Sequence, residues 1–195
     1  MKRFTPCLIK LDQDDTARFL AAAQEILAAY PELRPVICCA DESIAALARR
    51  EAPKAETATD ARAVMARARF GILCSGTAVL EAALLGCPGV VTYHGSPLQR
   101  WEWERFHVPG LARLREAGIA SPYISLPNII SGRPLYPEFL GEPAPVIAAA
   151  ALEGLSQDPR TARSDLDQVA KSLHWNDAGE AVAAAVLDAI NARRS

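Results

Sequence analysis

The chain lacks most of the signatures that announce a function. Its 195 residues carry 21 Lys and Arg against 23 Asp and Glu, a formal net charge of -2. The basic excess that nucleic acid or an anionic membrane leaves in a composition is therefore missing, and no nucleic-acid partner is expected. There is no C-x-x-C pair. The cysteines Cys7, Cys38, Cys39, Cys74 and Cys87 are odd in number, and each lies in or beside an apolar run, which reads as buried free thiols in a reducing cytosol. Neither an H-E-x-x-H motif nor a Cys/His cluster offers a metal site. His94, His107 and His174 are scattered, with no Gly-x-Ser-x-Gly turn or cysteine partner for hydrolase chemistry. The expectation is thus no metal and no resident cofactor. The Ala-rich stretch 146–152 is far short of the roughly 20 apolar residues that cross a bilayer. Lys2 and Arg3 are followed by a segment broken by Lys10, Asp12, Asp14 and Asp15, which is not the apolar core of an export signal. A cytoplasmic protein is expected. There is no internal repeat and no low-complexity linker.

What is present is an ordinary soluble composition, 50% hydrophobic and 23% charged, sufficient for one well-buried domain over residues 1–195. Short apolar runs alternate with helical periodicity. Residues 7–11 read as a strand and 16–29 as a helix with Phe19, Leu20, Ala23, Ile26 and Leu27 on one face. Asp14 or Asp15 is the expected cap and Pro31 the stop. A strand at 36–39, a helix at 43–50, a strand at 70–74, a helix to 85 and a strand at 90–93 continue the alternation, which predicts an α/β fold with a doubly wound, Rossmann-like parallel sheet. Residues 97–117 and the Pro-punctuated stretch 121–141 predict loops and short helices. Helical patterns at 146–155, 159–173 and 178–192 close the chain, with Asp158-Pro159 and Asp177 as starts.

The segment Phe70-Gly71-Ile72-Leu73-Cys74-Ser75-Gly76-Thr77-Ala78-Val79-Leu80-Glu81 carries chemistry. An apolar strand runs through Ser-Gly-Thr directly into a helix whose first amides lack internal partners, and Gly76 has no side chain to hold a phosphate away. Glu81 lies one turn beyond Thr77 on the same face, placed to accept hydrogen bonds from both hydroxyls of a ribose. A second segment, 122–133, embeds Asn128 and Arg133 among apolar and turn residues. Asn128 offers a donor and an acceptor and Arg133 a planar fork suited to phosphate or carboxylate; equally, both can tie a loop to the domain.

Ser75-Gly76-Thr77-Ala78, Leu80-Glu81-Ala82-Ala83-Leu84-Leu85-Gly86, Pro88, Val90-Val91 and Tyr93, followed by Ser125-Leu126-Pro127-Asn128 and Gly132-Arg133, together resemble the carboxy-terminal domain of lipid A disaccharide synthases. The resemblance extends from about Phe19 to the end and is strong between Ala66 and Glu142. It implies the carboxy-terminal half of a GT-B glycosyltransferase, the half that binds the UDP-sugar donor. By the same resemblance Ser75, Gly76 and Thr77 belong to the diphosphate region, Glu81 to the ribose, and Asn128 with Arg133 to the donor pocket. The implied reaction transfers a UDP-linked (acyl)glucosamine to a lipid-linked sugar acceptor; the alternative is a non-catalytic nucleotide-binding or interaction module derived from such an enzyme.

The sequence also departs from the family. Where the family opens this domain with a strand and a Gly-Ser-Arg turn, this chain reads Leu8-Ile9-Lys10-Leu11-Asp12-Gln13-Asp14-Asp15, without the arginine that approaches the diphosphate. The amino-terminal acceptor domain of the family, with its catalytic base, is expected to be missing. Asp12-Gln13-Asp14 spells a D-x-D pattern, but acidic residues before an amphipathic helix are ordinary dipole partners. His94 follows a strand end, where ligands gather in parallel sheets, but a solvated loop histidine is the expected reading. Trp101, Trp103 and Phe106 favour a partner surface, with peripheral contact at the inner membrane face as the other reading. Val182, Val186, Leu187 and Ile190 form an apolar stripe on the closing helix, so the chain is expected to pair with a separate acceptor-domain protein or with a second copy, the alternative being that the stripe packs on its own sheet.

Overall fold

Strands that are apolar on both sides require helices on both faces, and the chain is built that way. The computed structural model describes residues 6–9, 13–29, 31, 33–74, 76–96, 98, 99, 101 and 123–172. The order is β1 (Pro6–Ile9), α1 (Gln13–Ala29), β2 (Val36–Cys38), α2 (Glu42–Glu51), β3 (Glu56–Ala58), α3 (Ala61–Met65), β4 (Phe70–Cys74), α4 (Thr77–Leu84), β5 (Gly89–Tyr93), α5 (Leu126–Ser131), β6 (Glu138–Leu140), α6 (Ala144–Ser156) and α7 (Pro159–Ser172). Six strands form one sheet in the order β3-β2-β1-β4-β5-β6, every pairing parallel. The chain moves outward from β1 through β2 to β3, then returns to the far side of β1 with β4. The winding direction therefore reverses between β1 and β4, and the crevice beyond the carboxyl ends of those two strands is where such sheets bind ligands.

The two faces carry separate cores. On one, Ile37, Phe70, Ile72 and Val90 pack with Leu20, Ile26, Ala48, Ile147 and Ala151 of α1, α2 and α6. On the other, Cys38, Leu73, Val91 and Tyr93 pack with Met65, Val79, Ala82, Tyr136 and Leu166. All five residues of β4 and all five of β5 are buried, as the middle strands of a doubly covered sheet must be. Gly71 and Gly89 are partners across these two strands. A Cβ on Gly89 would strike the Gly71 carbonyl oxygen, so the close approach there needs glycine.

The predicted alternation is present, with corrections that have local causes. Helix α1 begins at Gln13, which puts Asp14 and Asp15 inside its first turn, where the helix dipole favours them, and not at the cap. Asp41 caps α2, its carboxylate accepting from the Ser43 and Ile44 amides at 2.9 and 3.0 Å. Asp158 does accept the Arg160 amide at 3.0 Å, as the Asp-Pro start of α7 predicts. The stretch 121–141 holds a strand, β6, as well as the short helix α5, and β3 with α3 occupies the interval before β4. Cys38, Cys39, Cys74 and Cys87 are buried and outside any disulfide. The predicted helix 178–192, with Val182, Val186, Leu187 and Ile190, lies outside the described residues, as do Lys10, Asp12, Ser75, Trp103 and Phe106.

Candidate functional site

The β4–α4 turn stands at the switch point. β4 is buried and apolar through Cys74, and Gly76 then turns the chain with φ 113° and ψ -160°, a conformation open in practice only to glycine. A Cβ at Gly76 would meet nothing within 4 Å. The glycine is there for its backbone angles, and no described residue crowds the position that a Cβ would take. Gly76 takes the cap position of α4 without a side-chain hydrogen bond. The Val79 amide reaches back to the Gly76 carbonyl at 3.2 Å, while the Thr77 and Ala78 amides meet no acceptor among the described residues. Two adjacent donors and the positive end of a helix dipole therefore face the crevice.

Helix α4 hides one side and shows the other. Ala78, Val79, Ala82 and Ala83 are buried; Gly76 and Thr77 are exposed and Glu81 is half-buried. The structure thus brings three of the predicted residues, Gly76, Thr77 and Glu81, onto one ridge at the carboxyl edge of the sheet. Glu81 Oε1 accepts a hydrogen bond from Arg62 Nη2 of α3 at 2.5 Å. That hydrogen bond and the carboxylate charge hold the Arg62 guanidinium still more firmly protonated than usual. Arg62 carries no motif, and sequence reasoning missed it. His94 follows β5 at the same edge and is exposed. Leu98 and Trp101 are 63% and 54% exposed.

Asn128 and Arg133 are placed differently. Asn128 is 0% exposed. Its Nδ2 donates to the Tyr136 carbonyl at 2.8 Å and to Glu138 Oε1 at 3.0 Å, and its Oδ1 accepts the Tyr136 amide at 2.9 Å. The side chain is a clamp holding the segment that enters β6 against α5. Tyr136, also 0% exposed, extends the clamp by donating its hydroxyl to the Cys87 carbonyl at 2.7 Å, and burial holds its phenol well above the usual pKa. Glu138 completes it, accepting the Ile124 and Ser125 amides at 3.0 and 2.7 Å just before α5 begins. The Ser125 hydroxyl is buried and without a partner in hydrogen-bonding geometry; the Tyr93 phenol beside it is near enough only for a weaker interaction, and burial dominates the upward shift of that phenol.

Arg133 Nη2 binds Asp165 Oδ1 at 2.8 Å and Gln168 Oε1 at 3.0 Å, both on α7. It lines a recess with Leu135, Pro137, Gln157 and Asp158. Those four residues also border a neighbouring recess with Phe70 and Gly89, the first residues of β4 and β5. Arg133 therefore sits where the strands begin, at the opposite edge of the sheet from Gly76, and the structure does not bring it to the ridge.

A parallel sheet of this strand order, with a glycine turn opening a helix at its switch point, is a doubly wound Rossmann-like fold, the fold that each half of a GT-B glycosyltransferase also has. The fold agrees with a solved structure of that class, a mutant O-GlcNAc transferase of Thermobaculum terrenum, with a TM-score of 0.53 and 19% identity over 96% of this chain and 35% of that one. The chain belongs to the lipid-A-disaccharide synthetase family, whose model matches residues 13–186. Curated lipid-A-disaccharide synthases of Klebsiella pneumoniae and Erwinia tasmaniensis are 34% and 36% identical to it over 189 and 186 residues. That of Pseudomonas fluorescens is 34% identical over 184 residues. Each alignment covers 89–91% of this chain and 45–46% of the relative, so the chain spans a little under half the length of the curated relatives it matches. Among the described residues no group of His, Cys, Asp and Glu is arranged to hold a metal ion, and no helix is long and apolar enough to cross a membrane.

Proposed function

We propose that this chain binds the UDP-sugar donor of a lipid-A-disaccharide synthase reaction, a UDP-linked acylated glucosamine destined for a lipid-linked sugar acceptor. The observation that carries this reading is the Gly76 turn at the switch point, with the Thr77 and Ala78 amides meeting no acceptor among the described residues and Glu81 one turn further along the same ridge. The amides and helix dipole suit a diphosphate, and a carboxylate accepts from both hydroxyls of a ribose. The spacing of one helical turn, about 5.4 Å, is the order of separation between a nucleotide's ribose and its phosphates. The described residues support donor binding. A base for the acceptor hydroxyl and the acceptor wall of the cleft lie outside them, supplied in this reading by a separate acceptor-domain protein or a second copy of the chain. Exposed Leu98 and Trp101 support peripheral contact at the inner, cytoplasmic membrane face, where a lipid-linked acceptor is met.

Calorimetric titration with UDP tests the reading. A charge-assisted hydrogen bond contributes about 1.5–3 kcal/mol, so Glu81→Ala is expected to weaken UDP by about tenfold or more. Equal affinity of wild type and variant removes Glu81 from the site; no UDP binding by the wild type removes the reading.

A further inference from the structure

We propose that Arg62 belongs to this nucleotide site as a positioning residue, holding the Glu81 carboxylate in the pose that receives the ribose. The inference rests on the donor reading and adds a residue to it. Arg62 and Glu81 are 19 residues apart and sit on different helices, so their contact is a link across elements and not a local helix pair. The element that presents Arg62 is itself fixed: Asp60 caps α3 by accepting the Ala63 amide at 3.0 Å, and Val64 and Met65 are buried in the core beneath it. Glu81 alone, on a partly exposed face, would sample several rotamers. With Oε1 held by Arg62, that freedom is given up on folding and not on binding, which is how preorganisation raises affinity. An ionised carboxylate has about four acceptor positions, and one bond to a guanidinium leaves capacity for two ribose hydroxyls. The Arg62 side chain is 72% exposed, so replacing it disturbs no core contact and the test reads binding separately from folding.

The test is calorimetric titration of wild type, Arg62→Ala, Arg62→Lys, Glu81→Ala and the Arg62→Ala, Glu81→Ala double variant with UDP and with 2′,3′-dideoxy-UDP, which lacks both ribose hydroxyls. The expected result is that Arg62→Ala weakens UDP by about three- to fivefold, the usual upper range for an exposed ion pair. It leaves dideoxy-UDP unchanged and adds nothing in the Glu81→Ala background, and Arg62→Lys recovers part of the loss. Unchanged UDP affinity in Arg62→Ala overturns the proposal while leaving the donor reading intact. Equal losses for both nucleotides also overturn it, because they mark a cation acting on the diphosphate or a general structural effect. A wild type that binds no UDP ends the donor reading and this inference together.

Discussion

Replacing Asn128 by alanine separates the role that family resemblance implies from the role that the structure shows. The resemblance puts Asn128 in the donor pocket; the structure buries it completely, with three hydrogen bonds to Tyr136 and Glu138. Truncation leaves the Tyr136 amide and carbonyl without their partner in a site that water does not reach. Each buried group left unsatisfied costs about 1–3 kcal/mol, so the loss is about 2–6 kcal/mol, with about 3 as the central expectation. For a urea dependence of about 2 kcal/mol per molar, the unfolding midpoint falls by about 1.5 M. The assay is urea unfolding of wild type and Asn128→Ala followed by circular dichroism, with UDP titration of the folded variant alongside. A fall in midpoint of this size, with UDP affinity retained where the variant is folded, supports the clamp. An unchanged midpoint with UDP binding abolished would refute the reasoning and return Asn128 to the donor pocket.

Two further expectations concern the sheet. Gly89→Ala drives a Cβ into the Gly71 carbonyl oxygen of the neighbouring strand, a backbone atom that cannot move aside, and is expected to cost about 3 kcal/mol or more; a thermal midpoint within a degree of wild type contradicts this. Burial pushes the Cys87 thiol from 9.0 up to about 12, so at alkaline pH the unfolded chain releases this proton before the folded one does. The stability associated with the neutral thiol is therefore complete below about pH 9 and is lost above it, at up to about 1.4 kcal/mol per pH unit. Unfolding midpoints between pH 8 and pH 10 should fall less steeply in Cys87→Ala; parallel slopes for the two proteins would exclude Cys87 as the cause.

The parts legible in the sequence are those whose signal is contiguous. β4, the glycine turn and α4 occupy one unbroken segment, where apolar strand, turn glycine and amphipathic helix follow one another, and Glu81 takes its place from helical spacing alone. β3 and β6 were hidden because they are three-residue strands at the two sheet edges. Glu56-Thr57-Ala58 and Glu138-Phe139-Leu140 are only partly covered and need no apolar run. Helix propensity did not reveal that Asn128 serves residues 8 and 10 positions further on, since its partners are brought together by the return of the chain into β6. The Arg133 fork matches a carboxylate as well as a phosphate, and only the fold shows that the carboxylate it meets is Asp165. Arg62 is one arginine among several on helix surfaces, distinguished only by the carboxylate it meets.

The central claim, that the β4–α4 turn binds the donor nucleotide, is tested most directly by following backbone amide resonances of the isotopically labelled chain during titration with UDP. The account predicts saturable shifts concentrated at Gly76, Thr77 and Ala78 and extending to Glu81. Amides at the opposite edge of the sheet, around Arg133 and Asp158, should stay in place. Shifts confined to that opposite edge, or none at millimolar UDP, would contradict it.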